Sequence, residues 1–218
     1  MKSFWTGRGQ RRASPQNFGG RAALVAFLLA TVWLAYRAHQ LEHSLKEKIE
    51  RPGTALLGKP APEFSLPVLV AAVHGSEGVA PAPVALAAAR GKIVFVSFWA
   101  SWCRPCDYEL PLLNHFYLAQ RERGVEVIAI STDEDRTAAL RYVEDKQFAL
   151  PMVWDEGGRV AEQYQVEALP TLVVIGPEGY VRQYERGLRM DLESWLDAQV
   201  RAIFPKGQPP AVPASSGS

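Results

Sequence analysis

The feature that most restricts the fold is the run Lys92 to Ala100 (KIVFVSFWA), which delivers the chain into Trp102-Cys103-Arg104-Pro105-Cys106. The run is β-branched and aromatic throughout, as expected of a strand covered on both faces. The chain has only two cysteines, Cys103 and Cys106, separated by two residues. No disulfide framework exists, and the pair has to be read as a unit.

The neighbouring pattern repeats the alternation. Arg104 to Arg123 reads as a helix with Pro111 inside it, Val125 to Ser131 as a second buried strand, and Asp135 to Gln147 as a helix opened by Thr132-Asp133. Leu150 to Trp154, Thr171 to Gly176 and Tyr180 to Glu185 read as strands, with Pro177-Glu178-Gly179 turning the last two. Gly158 to Gln165 is a short helical stretch. Leu192 to Phe204 closes the chain as a helix with Trp195, Leu196, Val200 and Ile203 on one face. Ahead of these, Phe64–Val70 and Val84–Leu86 form a hairpin around a Gly/Pro-rich loop, Ala71 to Pro83. The expected fold class is α/β: a central mixed sheet flanked by helices, with parallel neighbours at the helical crossovers and an antiparallel pair at the last turn. At 218 residues and 48% apolar content, one domain plus appendages is expected.

The N-terminus supplies the main appendage. From Ala22 to Tyr36 every residue is apolar or small except Thr31, and Arg21 and Arg37 bracket the span. Long arginine stems let such a segment cross a somewhat thinned bilayer, and Tyr36-Arg37-Ala38 is a poor cleavage site. An uncleaved signal anchor is therefore expected, followed by a helical stalk in which Leu41, Leu45 and Ile49 recur every four residues. Basic residues flank the span on both sides, so the charge bias sets its orientation only thinly. The expected domains are a basic tail (1–21), a transmembrane anchor (22–38), a juxtamembrane stalk (39–57), a globular domain (58–204) and a disordered tail (205–218). With 24 basic and 23 acidic residues the formal charge is +1, which gives no sign of a nucleic-acid partner.

The chemistry resides in the cysteine pair. At a helix N-terminus, unpaired N–H groups and the helix dipole favour the Cys103 thiolate over the thiol, and Arg104 adds positive charge beside it. Pro105 suits a first helical turn, where a missing N–H is no loss. Cys106 lies one turn on, close enough to close a disulfide. The implied reaction is thiol–disulfide exchange, with Cys103 attacking, Cys106 resolving and no cofactor required. Half of a zinc site is the bland alternative, but His39, His43, His74 and His115 are too scattered to complete it. Leu169-Pro170-Thr171 places a proline just before a β-run, which an ordinary strand-start proline also explains.

From about Gly58 to Phe204 the chain resembles the membrane-anchored thioredoxin-like reductases of the TlpA/ResA/CcmG type. The resemblance rests on Gly58-Lys59-x-Ala61-Pro62-x-Phe64, Phe98-Trp99-Ala100-Ser101-Trp102-Cys103-Arg104-Pro105-Cys106, Glu109-Leu110-Pro111, Leu169-Pro170-Thr171 and Gly176-Pro177-Glu178-Gly179. It implies a thioredoxin fold, a redox-active Cys103–Cys106 disulfide, and a cis Pro170 facing the cysteines in a groove for substrate backbone formed with Leu169 and Thr171. Trp102, Arg104 and Pro105 support the pair. It also implies an extra segment around Tyr142–Tyr164 and a role for Glu109 in tuning the cysteines or relaying protons. Against that last role, a glutamate in the second helical turn is often solvated surface. Ser97 stands where many thioredoxins carry a buried aspartate. The resemblance further implies a monomeric, single-pass protein of the bacterial inner membrane with its domain outside the cytoplasm, a membrane electron donor, and protein thiol clients such as apocytochrome c or copper-site proteins.

Two other functions fit part of the pattern. A peroxiredoxin would need Pro and Thr/Ser at seven and three residues before its reactive cysteine, where this chain has Val96 and Ala100. A redox-inert binding or chaperone module would have no need of an intact Cys103 and Cys106.

Overall fold

The computed structural model describes residues 18–50, 53–69 and 82–204. The residues before Phe18, most of the predicted Gly/Pro-rich loop and the tail after Phe204 lie outside the described residues. The chain divides into two units, Met1–Ile49 and Glu50–Ser218.

Helix α1, Phe18–Glu50, runs unbroken through the apolar stretch and into the predicted stalk as far as Glu50. Its segment Ala23–Glu42 is long and apolar enough to cross a membrane and is wholly uncovered by protein. The polar groups along it are answered locally. Thr31 Oγ1 donates to the Leu28 carbonyl at 2.9 Å, and Gln40 Nε2 donates to the Tyr36 hydroxyl at 2.9 Å. The Arg37 guanidinium lies 5.6 Å over the Trp33 ring, which places an aromatic and a cation together near one end of the apolar span.

The second unit is built on a five-stranded sheet. In chain order it contains β1 (Ser65–Leu66), β2 (Val84–Ala85), β3 (Ile93–Trp99), α2 (Cys106–Gln120), β4 (Val125–Ser131), α3 (Arg136–Lys146), β5 (Met152–Trp154), α4 (Arg159–Gln163), β6 (Thr171–Ile175), β7 (Val181–Arg186) and α5 (Leu192–Ile203). Strands β1 and β2 form the predicted N-terminal hairpin, and the main sheet has the order β5-β4-β3-β6-β7. The crossovers through α2 and α3 make β3, β4 and β5 parallel, as expected. The crossover through α4 does not continue that rule: β6 enters antiparallel to β3. The five-residue α4 belongs to a connection that returns the chain at the same end of the sheet where β3 finishes. The thioredoxin fold anticipated from the sequence is the fold observed, and β7 then pairs antiparallel with β6.

Strand alternation divides the core. Ile93, Phe95 and Trp99 join one cluster with Leu110, Leu113 and Phe116 of α2, Val143 of α3, and Leu192, Leu196 and Val200 of α5. Val94, Val96 and Phe98 join the other with Ala61, Phe64, Leu66 and Tyr164. By the same alternation Ser97 belongs to the α2 face.

The stretch from Gly58 to Leu69, which has almost no regular structure, touches both margins of the sheet. Gly58 N donates to the Val181 carbonyl at 2.8 Å, and Ala61 N donates to the Gly179 carbonyl at 2.9 Å, along the start of β7. Farther on, Leu69 N donates to the Met152 carbonyl at 2.8 Å and Trp154 N donates to the Pro67 carbonyl at 3.1 Å, along β5. The chain arrives through Gly53, whose φ of 82° and close fit to the Tyr184 ring, 2.0 Å from where a Cβ would sit, exclude a side chain.

Two local expectations need correction. Helix α2 begins at Cys106 rather than Arg104, and Arg121–Arg123 tightens into a 3₁₀ turn instead of continuing it. Helix α3 is capped not by Thr132-Asp133 but by Asp135, whose carboxylate accepts from Thr137 N at 2.8 Å.

Candidate active site

Parallel strands β3 and β4 end at the same margin, so the loops that leave them run side by side. Thr132 N donates to the Trp99 carbonyl at 2.9 Å, which joins the two loops at their first residues. The chain then makes consecutive tight turns: Cys103 N donates to Ala100 O at 3.0 Å, Cys106 N to Cys103 O at 3.0 Å, and Asp107 N to Arg104 O at 3.1 Å. Cys103 therefore precedes α2 by one turn, with Arg104 and Pro105 between. Pro105, at φ −62°, occupies the cap position that its fixed torsion and missing N–H suit.

The two sulfurs are joined, with Cα atoms 5.3 Å apart. Cys103 is 5% exposed and Cys106 1%, so Cys103 is the one a large thiol or disulfide meets first. Trp102 is 72% exposed beside it, and Arg104 and Tyr108 are also exposed. The pair thus sits in an apolar lining with an open aromatic at its lip.

Glu109 is where sequence alone left two readings open, and the solvated one is wrong: it is 1% exposed. The buried stripe of α2 is Cys106, Glu109, Leu110, Leu113 and Phe116, a 3–4 spacing that puts Glu109 on the inner face one turn beyond Cys106. It meets Ser97 there, whose hydroxyl donates to its Oε1 at 2.8 Å. Burial pushes the Glu109 carboxyl up from 4.5 to about 7, and the Ser97 hydrogen bond opposes that rise without cancelling it. Ser97, noted in the sequence only for what it replaces, is the partner that sequence reasoning missed.

Strand β6 brings the third element. Thr171 pairs with Phe98, so Pro170 lies level with the end of β3, at the margin where the chain departs toward the cysteines. The Leu169–Pro170 bond is cis, as the resemblance implies, and Pro170 is buried. Its carbonyl accepts from Gly187 N at 2.8 Å, and Thr171 Oγ1 donates to Ala168 O at 2.7 Å. Leu169 is partly buried and packs against both core clusters.

Helix α3 braces the opposite side. The Tyr142 ring lies 4.8 Å from that of Trp99, and its hydroxyl donates to Asp107 in the first turn of α2 at 2.7 Å. Burial and that hydrogen bond push the phenol up, so it remains a neutral donor. Tyr142 fixes the start of α2 relative to the strand that feeds it.

Comparison with known proteins agrees with this arrangement. The AhpC/TSA family model matches residues 57–184. The thiol-disulfide oxidoreductase ResA of Bacillus cereus is 31% identical over 175 residues, covering 79% of this chain and 92% of that protein. The ResA of Oceanobacillus iheyensis is 31% identical over 179 residues, covering 81% and 86%. Among solved structures, a protein described as a thiol:disulfide interchange protein DsbE from Chlorobium tepidum superposes with a TM-score of 0.60 at 26% identity, covering 67% of this chain and 96% of that one. The cysteine pair closed at a strand-to-helix turn, level with a cis-proline, and these likenesses lead to one conclusion: the chain belongs to the AhpC/TSA family and, within it, to the ResA-type thiol-disulfide oxidoreductases.

Proposed function

We propose that this oxidoreductase is held in a bacterial inner membrane by residues 22–38 and reduces disulfides of exported proteins through Cys103 and Cys106. The observation that carries this reading is the closed Cys103–Cys106 bridge at the loop end of the sheet, level with cis Pro170. In the reduced protein the Cys103 thiolate attacks one sulfur of a client disulfide. A bond forms between Cys103 Sγ and that sulfur, and the other client sulfur leaves as a thiolate and takes up a proton. The Cys106 thiolate then attacks Cys103 Sγ, the mixed disulfide breaks, and the client departs as a dithiol while Cys103 and Cys106 are oxidised. Two electrons pass to the client, and a dithiol donor at the membrane has to restore them.

Each surrounding residue has a place in this scheme. Positive charge from Arg104 and the N-terminal end of α2 favour the Cys103 thiolate. Glu109, titrating near neutrality one turn from Cys106, takes up and returns the Cys106 proton. Leu169, just ahead of cis Pro170, presents backbone to the client while Pro170 and Thr171 fix its place from within the sheet, and exposed Trp102 covers the client's apolar flank. Clients of the kind implied by family likeness are cytochrome c precursors with paired haem-ligating cysteines, or copper-site proteins. The globular domain, 58–204, acts as a monomer on a stalk, 39–57. The peroxidase reading gains nothing from the site, because Val96 and Ala100 are buried apolar residues with no hydroxyl to polarise a peroxide.

The test uses the full chain in detergent micelles. With dithiothreitol as donor it reduces insulin disulfides, Cys103→Ser abolishes the reaction, and Cys106→Ser accumulates mixed disulfides whose trapped proteins identify the clients. An unchanged insulin rate in Cys103→Ser refutes the assignment.

A further inference from the structure

Asp133 is 3% exposed, and its carboxylate is engaged almost wholly by one turn. Oδ1 accepts from Ser101 Oγ at 2.7 Å and from Ser101 N at 3.1 Å, while Oδ2 accepts from Ser101 N at 2.9 Å and from Ser131 Oγ at 2.8 Å. Its own backbone is held as well. Asp133 N donates to Ser131 Oγ at 3.1 Å, and its carbonyl accepts from Trp154 Nε1 at 2.8 Å. A buried carboxylate left unpaired is costly, so an acidic side chain satisfied in this way fixes its donors stiffly. Ser101 is two residues before Cys103, within the Ala100–Cys103 turn.

We propose that Asp133 is a positioning residue for the thiol–disulfide reaction: through Ser101 it holds the turn that carries Cys103, and its hold matters most in the dithiol form. This rests on the reading of Cys103 as the attacking sulfur. In the oxidised protein the bond to Cys106 itself ties Cys103 to the first turn of α2. Reduction breaks that tie. The Asp133–Ser101 clamp, together with the hydrogen bond from Cys103 N to Ala100 O, then keeps the sulfur near the helix end that favours its thiolate. A loosened turn leaves the oxidised fold largely intact but lets the reduced sulfur wander, and displacement of a reacting group by about 1 Å costs up to about a hundredfold in rate.

The experiment is run on the full chain in detergent, in a Cys106→Ser background where Cys103 is the sole thiol. The rate of iodoacetamide alkylation is followed against pH. Ser101→Ala keeps every charge and removes only the hydroxyl arm of the clamp. It is expected to raise the alkylation midpoint and slow alkylation at neutral pH by roughly tenfold. Ser101→Thr restores the hydroxyl and the parent profile, and Asp133→Asn falls between. In the otherwise unmodified protein the same substitutions slow insulin reduction in the same order. Tyr164→Phe is the control for loss of stability alone, since it removes only the hydrogen bond to the Pro62 carbonyl, in the core cluster that does not contain the cysteines, and leaves the profile unmoved. Should Ser101→Ala and Asp133→Asn alkylate like the parent while only their melting temperatures fall, Asp133 serves the fold alone and the proposal is overturned. Alkylation needs no client, so its outcome is independent of the insulin assay, which tests the function itself.

Discussion

Glu109→Gln gives a quantitative test of the site's electrostatics. In the unfolded chain the Glu109 carboxyl titrates near 4.5, and in the folded protein near 7. Below the lower value both states hold the proton, and the group contributes no pH dependence. Between the two, the unfolded chain has lost its proton while the folded one keeps it, so the folded state binds more protons and stability falls as pH rises. Above 7 both are ionised and the cost of the buried charge is constant. At 1.36 kcal/mol per pH unit the loss across the window is about 3 kcal/mol, a large part of a typical domain's stability. Glutamine keeps the shape and an acceptor for the Ser97 hydroxyl but cannot ionise, so its curve lacks this slope. The assay is guanidinium unfolding of the oxidised full chain in detergent at half-unit steps from about pH 4 to 8, followed by near-ultraviolet circular dichroism. The gap between variant and parent should open in the variant's favour as pH rises. Parallel curves, or a parent that gains stability through the window relative to the variant, would refute the buried, late-titrating carboxyl.

Trp102→Ala should raise KM for protein clients severalfold while leaving thermal stability unchanged, because the ring is 72% exposed and supports nothing beneath it. Leu196→Ala, at a fully buried position of α5 packed toward α2, should cost about 2–5 kcal/mol in denaturant unfolding, with the reduction chemistry preserved at low temperature. Gly53→Ala should lower the melting temperature and open the residues before Pro60 to protease, since its methyl group would enter the Tyr184 ring at a positive φ.

The central elements were legible because they announce themselves locally: a doubly buried strand reads as an unbroken apolar run, and a cysteine pair at its end needs no context. What escaped the sequence was long-range pairing among polar residues. Glu109 could be placed near the cysteine face of its helix, but whether it was buried or solvated stayed open until Ser97, twelve residues earlier, was found donating to it. Thr132-Asp133 looks like the opener of its helix, and only the tertiary fold, by bringing Ser101 to Asp133 and leaving Asp135 beside Thr137, moves the cap to Asp135. The reversal of β6 was equally hidden, since nothing in Thr171–Ile175 states its direction. The resemblance to known reductases implied cis Pro170, which local composition left undecided.

The twelve residues from Gly58 to Leu69 act as a hem stitched along two selvedges at once. A chain stripped of them would bare unpaired backbone on β5 and on β7 together, and since those borders face in opposite directions, one molecule could join a neighbour on either side. Loss of one border alone would stop at pairs; loss of both permits open-ended growth, visible as particles that lengthen with concentration. A stretch that contributes no catalytic group thus shields backbone at both borders of the sheet from other copies of the chain.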